Sequence, residues 1–354
     1  MFKKHYHIIG VMSGTSLDGI DMAQLYFTVE KGKWTFEIQK CETIAYPQNW
    51  LNKLKIAITF SEKELKNLNV AYTQFLGETI EDFIKKNQIA AIDAVSSHGH
   101  TILHQPQKGI TLQIGNLAEI AKIIEQKVVC DFRVQDVKFG GQGAPLVPIG
   151  DKLLFSEYNF CLNLGGFSNV SFDENRKRIA FDISPVNTVL NFYANQLGID
   201  YDDQGTIARS GKLHLALFAE LNELDFYKKK YPKSLGMEFV NEIIIPLVEK
   251  YQIPTEDKLH SFVEHSTFQI ALALPVKKGK MLITGGGAYH SFLMSRIQFH
   301  LPNMEIVIPD KKTIEFKEAL IFGLLGVLKL RNEINVLSSV TGAKHDHSSG
   351  MIFG

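Results

Sequence analysis

Cysteine is scarce in this chain: Cys41, Cys130 and Cys161 are the only three in 354 residues. They are far apart and form no C-x-x-C pair, which argues against a disulfide framework and a thiolate metal site. A reduced, cytoplasmic protein fits that usage. Surplus charge is also missing, with 38 Lys+Arg against 38 Asp+Glu. No basic excess is available to condense on nucleic acid or an anionic membrane. The one local basic stretch, "YKKKYPK" (227–233), reads as a solvated loop. Long apolar runs are lacking too. The most apolar helix candidate, "EALIFGLLGVLKL", has an uncharged core of roughly ten residues, where about twenty are needed to span a bilayer. The start, "MFKKHYHIIGVM", has no long apolar segment and no small-residue cleavage site. No membrane segment is expected.

What is present is a large apolar fraction, 45% of residues. At about 100–200 residues per domain the length predicts two domains. Residues 6–12, 22–29 and 34–41 read as a strand meander. An amphipathic helix follows, opened by a capping box of Ser61 and Glu64 and continued by apolar residues at three- and four-residue steps from Leu65 to Phe83. Asn116 reads as the cap of a short helix, and "KVVC" as a strand. "GGQGAPLVPIG" (140–150) is the sharpest change of composition and reads as lying near a domain crossover. A second meander then begins with "NFCLNLGGFSNVSF" and ends in "IAFDI". Two halves on one plan predict a duplicated α/β unit with a ligand cleft between the copies. The tail "KHDHSSG" reads as solvated loop.

Three glycine-rich turns follow three apolar strands: Gly14 to Asp21 ("GTSLDGID"), Gly165–Gly166 and Gly285–Gly287. Glycine lets backbone N–H groups fold around an anion, and Ser13, Thr15 and Ser16 add hydroxyls. Together the turns point to a nucleotide held by its phosphates. None is a Walker A loop; "GTIARSGKL" has the wrong spacing, with Leu213 after the lysine. Asp18 and Asp21 read as part of the first turn and as groups that could hold Mg²⁺ through water. Asp182 ends a strand and is either a general base or the cap of the next helix. His98, His100 and His104 do not have zinc spacing and read as a substrate-contact loop. Arg133, between Asp131 and Asp136, suits either a substrate carboxylate or an internal ion pair. Phosphate loops, a metal-holding carboxylate and a base are the parts phosphoryl transfer requires.

From end to end the chain resembles the anhydro-N-acetylmuramic acid kinase family. "GVMSGTSLDGIDMA" is similar to that family's first phosphate loop almost letter for letter. "SHGHTILHQP", "CDFRVQD", "GGQGAPLVP", "NLGGFSN", "YDDQGTIARSG", "PKSLGMEF", "GGGAYHSFLM", "KEAL" and "SVTGA" follow in the family's order. The resemblance implies an α/β fold of two ribonuclease H-like (actin-like ATPase) domains with an ATP cleft between them. It divides the chain into 1–135 plus 332–354 and 136–331. It implies a kinase that opens a 1,6-anhydro sugar with water and phosphorylates O6, using ATP and Mg²⁺. Asp182 would be the base. Gly14, Thr15, Ser16, Leu17, Asp18, Gly19, Ile20 and Asp21, with Gly165, Gly166, Gly285, Gly286 and Gly287, would hold the nucleotide. His98, Thr101, Arg133 and Glu318 would serve the sugar side. A homodimer is implied by the resemblance alone. The family's F-D-T-G-P-G-N stands here as "FDISPVN", a change expected to narrow the room beside the base. His100 stands for Gln, Leu103 for Arg, and Ser291 for Asn. The alternatives are a kinase for a levoglucosan-like anhydro sugar and a non-catalytic actin-like nucleotide switch.

Overall fold

The computed structural model describes residues 2–14 and 16–354, and its chain divides into two compact units. The first comprises residues up to Leu154 together with Phe316–Gly354; the second is Phe155–Glu315. In chain order the strands are β1 (His5–Ser13), β2 (Ile20–Glu30), β3 (Lys33–Ile44), β4 (Ala94–Gln105), β5 (Ile110–Ile114), β6 (Val128–Cys130), β7 (Phe160–Leu164), β8 (Phe167–Glu174), β9 (Lys177–Pro185), β10 (Lys278–Thr284), β11 (Asn303–Val307) and β12 (Met351–Phe353).

The first unit's sheet runs β12-β6-β4-β1-β2-β3, with β5 paired to β4. β1, β2 and β3 are antiparallel, and β1–β4 and β4–β6 are parallel. The second unit's sheet runs β11-β10-β7-β8-β9, again with three antiparallel strands followed by two parallel ones. In each unit the third, second, first, fourth and fifth core strands lie in that order, the ribonuclease H-like arrangement. The expected duplicated α/β fold is therefore present, strand for strand.

β1 is buried from Tyr6 to Ser13. A central strand with a parallel neighbour is covered on both faces, hence the continuous run "YHIIGVMS" rather than an alternating one. The helix Glu62–Lys86 begins at Ser61, with both halves of the capping box formed, and buries Leu65, Leu68, Tyr72, Leu76, Ile80 and Phe83 at the predicted spacing. Asn116 does not cap the next helix. Its side-chain amide donates to the carbonyls of His98 and Gln113, and Ala118 occupies the cap position.

The division falls later than residue 135 at the first crossing and earlier than 332 at the second. The helix Lys311–Leu330 leaves helical geometry at Phe316 (φ −111°, ψ 16°), the residue where the chain re-enters the first unit. Beyond it, glycine and serine let the helix press against the sheet. A Cβ on Gly10 would lie 2.1 Å from the Ala319 carbonyl oxygen, and one on Gly326 would lie 2.5 Å from Ser96 Oγ. The Ser96 hydroxyl donates to the Phe322 carbonyl. The Gly140–Gly150 stretch also stays in the first unit. Asp136 Oδ2 accepts from the Gly143 N–H at 2.7 Å, and a Cβ on Gly141 would collide with that carboxylate. Among the described residues no helix is long and apolar enough to cross a membrane.

Candidate active site

In the first unit, β1 hands over to β2 through residues 14–19. Ser13 pairs with Ile20, and Met12 with Asp21. Ile20 and Asp21 are thus strand residues, not part of the turn. The sequence reading overextended the turn because a polar Asp next to Gly looks like loop. Asp21 accepts a hydrogen bond from the Thr43 hydroxyl at 2.6 Å on the neighbouring strand. Leu17 takes a positive φ of 64°, and the Leu17 N–H donates to the Gly14 carbonyl at 3.3 Å. A Cβ on Gly19 would lie 2.7 Å from the Ile44 carbonyl oxygen, so only glycine lets the returning chain pass β3 this closely. Ser16 and Asp18 are exposed; Thr15 lies outside the described residues.

Beneath this loop is a buried cluster that the sequence did not reveal. Ser13 Oγ is hydrogen-bonded to Tyr46 OH, to Tyr72 OH at 3.0 Å and to His100 Nδ1 at 2.8 Å; the two tyrosine hydroxyls bond each other. Ser13 and His100 face each other across the parallel pair β1–β4. Two residues before His100, His98 Nδ1 bonds the Gly99 carbonyl at 2.8 Å, while Nε2 accepts from Arg133 Nε at 2.9 Å. With one ring nitrogen donating and the other accepting, the imidazole is neutral. Burial pushes its pKa well below the usual value, and the Arg133 charge pushes the same way.

Arg133 makes neither of the ion pairs its flanking acids invited. Its Nη1 donates to the Gly143 carbonyl at 2.6 Å. Burial lowers its pKa to about 10, opposed by the Glu318 and Asp136 carboxylates, so it remains a cation at neutral pH. Glu318 is exposed on the helix Lys311–Leu330, where Arg133, Asp21 and Lys317 are the charges acting on it. Thr101 is half-buried on β4 and receives a 3.4 Å hydrogen bond from Gln113 on β5. Within this unit Ser13, His98, His100 and Arg133 are therefore linked by two short chains of hydrogen bonds.

The tail is not the solvated loop expected. His347 and Ser349 are buried, and the Ser349 hydroxyl donates to the Phe132 carbonyl at 2.6 Å. β12 then completes the sheet edge beside β6. Thr341 donates to Asp136 Oδ1 at 2.8 Å, which ties the segment "SVTGA" to the "CDFRVQD" and "GGQGAP" segments.

In the second unit, the parallel strands β7 and β10 place Gly165–Gly166 beside Gly285–Gly287, with Asn163 opposite Thr284. The Gly166 carbonyl accepts from the Val186 N–H, the Thr188 N–H and the Thr188 hydroxyl; the Gly165 carbonyl accepts from the Asn187 N–H. Gly285 sits at φ +84°, where a Cβ would meet Asn163 Oδ1 at 2.7 Å, and one on Gly287 would meet Leu164 Cβ at the same distance. Asn187 joins the two turns by donating to the Leu164 carbonyl at 3.3 Å. Ser291 accepts from Arg209 and donates to the Gln204 carbonyl, so it anchors "YDDQGTIARSG" to the start of the helix Ser291–His300.

Asp182 lies on β9 opposite Asn169. It does not cap the helix Asn187–Gln196, whose cap position is Val186. The Leu235 N–H donates to Asp182 Oδ2 at 2.8 Å, and the Asp182 N–H donates to the Lys233 carbonyl at 3.1 Å. Oδ1 has no hydrogen-bond partner among the described residues. Burial raises the carboxyl pKa, with the Leu235 N–H pulling it back down. The "YKKKYPK" stretch is thus solvated only in part. Its last lysine is half-buried, with the ammonium over the Phe226 ring at 4.5 Å.

The substitutions in "FDISPVN" do not crowd Asp182. Ile183 and Val186 are 1% and 0% exposed and belong to the hydrophobic core. Ser184 is fully buried; its N–H donates to Ser168 Oγ at 3.1 Å, and its hydroxyl faces Tyr227 and Ser266. A register shift between Ser168 and Asn169 lets Asp182 and Ser184 take adjacent pairing positions.

A sequence profile described as "Anhydro-N-acetylmuramic acid kinase" matches residues 6–354. The anhydro-N-acetylmuramic acid kinase of Pseudomonas syringae pv. syringae is 33% identical over 366 residues, covering 98% of this chain and 99% of its own. That of Mannheimia succiniciproducens is 32% identical over 380 residues and covers both chains completely. The chain belongs to the anhydro-N-acetylmuramic acid kinase family. Among solved structures, the (R)-2-hydroxyglutaryl-CoA dehydratase component A of Acidaminococcus fermentans overlaps it at a TM-score of 0.46 with 13% identity, covering 90% of this chain and 96% of its own. The fold assignment rests on the strand order, not on that likeness. In this member of the anhydro-N-acetylmuramic acid kinase family the residues described above come from segments spread over the whole chain.

Proposed function

We propose that this chain is an ATP-dependent kinase that opens 1,6-anhydro-N-acetylmuramic acid with water and phosphorylates O6, giving N-acetylmuramic acid 6-phosphate for cell-wall recycling in the cytoplasm. The observation that carries the reading is the state of Asp182. One carboxylate oxygen is fixed by the Leu235 N–H, the other has no partner among the described residues, and burial raises the pKa. A carboxylate held this way is oriented, open on one oxygen and more basic than a free one.

The chemistry needs one such base. Asp182 takes a proton from water as the water oxygen bonds to C1. The C1–O6 bond breaks, O6 bonds to the γ-phosphorus, and ADP leaves with the electrons of the broken phosphorus–oxygen bond. The two glycine turns of the second unit, and separately the Gly14–Gly19 turn of the first, are candidates to donate backbone N–H groups to ATP phosphates. Mg²⁺, when bound, would offset the charge on the transferring phosphoryl group. Asp18 and Asp21 would hold it through water. Among the described residues no group of three His, Cys, Asp or Glu could cage a metal, so the donor set suits an ion carried mainly by waters and phosphate oxygens. On the sugar side, Arg133 Nη2 has no partner among the described residues and would meet the substrate's carboxylate, with His98 fixing the guanidinium through Nε. Thr101 and Glu318 would contact or support the sugar.

The test is coupled ADP release with a panel of anhydro sugars. Turnover with 1,6-anhydro-N-acetylmuramic acid, abolished in Asp182→Asn, is the expected result. Oxygen from labelled water should appear on C1. ATP hydrolysis indifferent to every sugar, with label in phosphate, would sink the proposal. A preference for levoglucosan would move the substrate but keep the mechanism.

A further inference from the structure

The buried cluster under the first loop fixes the protonation of one of its members. Ser13, Tyr46, Tyr72 and His100 make four contacts: three among the hydroxyls and one between Ser13 Oγ and His100 Nδ1. None of the four residues is more than 8% exposed. Each contact needs one proton, and the three hydroxyls supply three. Were Nδ1 an acceptor, Ser13 would donate to it and both tyrosines to Ser13, leaving the Tyr46–Tyr72 contact without a proton. Two bare phenolic oxygens at hydrogen-bond distance would repel. The inventory closes only when the hydroxyls form a cycle and His100 Nδ1–H donates to Ser13 Oγ. Burial holds the ring's pKa down at about 4, so at neutral pH it carries a single proton. Nε2 is then a bare lone pair, and it makes no hydrogen bond within the described residues.

Nε2 is open to solvent although the residue is almost wholly enclosed, so its lone pair can take a donor from outside the fold. Its position says which kind. His100 pairs with Ser13 at the carboxyl end of β1, one residue before Gly14, and lies between His98 and Thr101. Ligands of α/β sheets gather at the carboxyl ends of their parallel strands. We propose that His100 is a specificity residue for the sugar, its Nε2 accepting a hydrogen bond from a sugar hydroxyl or acetamido N–H. The assignment rests on the kinase reading above for the identity of the ligand, and on the proton inventory together with the burial of the ring for its state.

Two substitutions separate the ring's two nitrogens. His100→Asn keeps an amide N–H near the Nδ1 position and removes the Nε2 acceptor. His100→Gln places an amide near the Nε2 position and gives up the bond to Ser13. The proposal expects KM for the sugar to rise about tenfold in the Asn variant, with KM for ATP unchanged. The Gln variant should recover most of that loss in KM while melting at a lower temperature. A sugar KM near wild type in the Asn variant, with the defect confined to Gln, would mean that His100 only supports Ser13 and would overturn the proposal. The ¹⁵N spectrum of the imidazole gives a second reading that needs no substrate. A bare Nε2 supports the assignment even if the protein turns over no anhydro sugar, and a proton on Nε2 overturns it.

Discussion

Thr341→Val keeps the shape of the side chain and removes one hydroxyl. That hydroxyl donates to Asp136 Oδ1 at 2.8 Å, and Asp136 is fully buried. The carboxylate keeps its second arm, the Gly143 N–H at 2.7 Å. A hydrogen bond to a charged group contributes about 1.5–3 kcal/mol, and His347 Nε2, 3.6 Å from Oδ1, stands beyond hydrogen-bond distance and does not replace the lost donor. For a cooperative unit of about 190 residues, each kcal/mol lowers Tm by about 2–4 °C, so the variant should melt about 3–12 °C below wild type. The effect should extend to catalysis by a defined route. Asp136 positions Gly143, whose carbonyl accepts from Arg133 Nη1, and Arg133 Nε in turn holds His98. Loosening Gly143 frees the guanidinium, so KM for the sugar should rise several-fold at a temperature where the variant is folded, with KM for ATP unchanged. Calorimetry and steady-state kinetics on one preparation read both numbers. A Tm within 1 °C of wild type would refute the assignment of Thr341 as a required donor. A KM rise equal for sugar and ATP would refute the route through Arg133.

Because burial raises the Asp182 pKa, the acid limb of kcat/KM should fall above the ordinary aspartate value of 3.8, and Asp182→Asn should erase what activity defines that limb. The linked stability has the opposite sense. Asp182 favours the fold most while it is neutral, and that contribution is lost as pH rises through its raised pKa, so Asp182→Asn at neutral pH should melt no lower than wild type; a clear drop in Tm would mean that the carboxylate is structural. Gly285→Ala should raise KM for ATP and cost about 1–3 kcal/mol of stability, since φ is +84° and the new methyl meets Asn163 and the Leu164 backbone; unchanged ATP kinetics would remove that turn from the nucleotide site. Chelation of Mg²⁺ should abolish turnover without moving Tm, and a metal-independent rate would end the role given to Asp18 and Asp21.

The fold was legible where pattern and pairing agree. The two meanders, the capped helix Glu62–Lys86 and the second and third glycine turns lie where local sequence puts them, while the first turn ends two residues earlier than read, at Gly19. Legibility failed where distant segments decide. Nothing local says that Ile183 is the extra residue where β9 shifts register between Ser184 and Asp182, or that Val186 packs into the core. Ser13, Tyr72 and His100 come from three elements and Tyr46 from a connecting loop, and no spacing announces a cluster assembled by packing. Asp182 was found by its motif, but its orienting donor, Leu235 N–H, is a backbone group 53 positions away and has no sequence signature. His347 read as solvent because histidine between Asp and Ser usually is; packing with Phe139 and Asp136 overrides that tendency.

The split of the first unit around the second has a consequence for how the chain is made. Residues 155–315 leave the ribosome as one continuous segment that carries its own sheet and core. The residues before them emerge earlier but without the helix that fills the Gly10 and Gly326 contacts, without Thr341 for Asp136, and without β12 for the exposed edge of β6. Synthesis therefore inverts the usual order in which the N-terminal domain folds first. The earlier-made half, including the serine–tyrosine–histidine cluster, waits unfinished through the translation of the whole second unit. Its open strand edge over that interval leaves the β6 backbone groups free to pair with another strand.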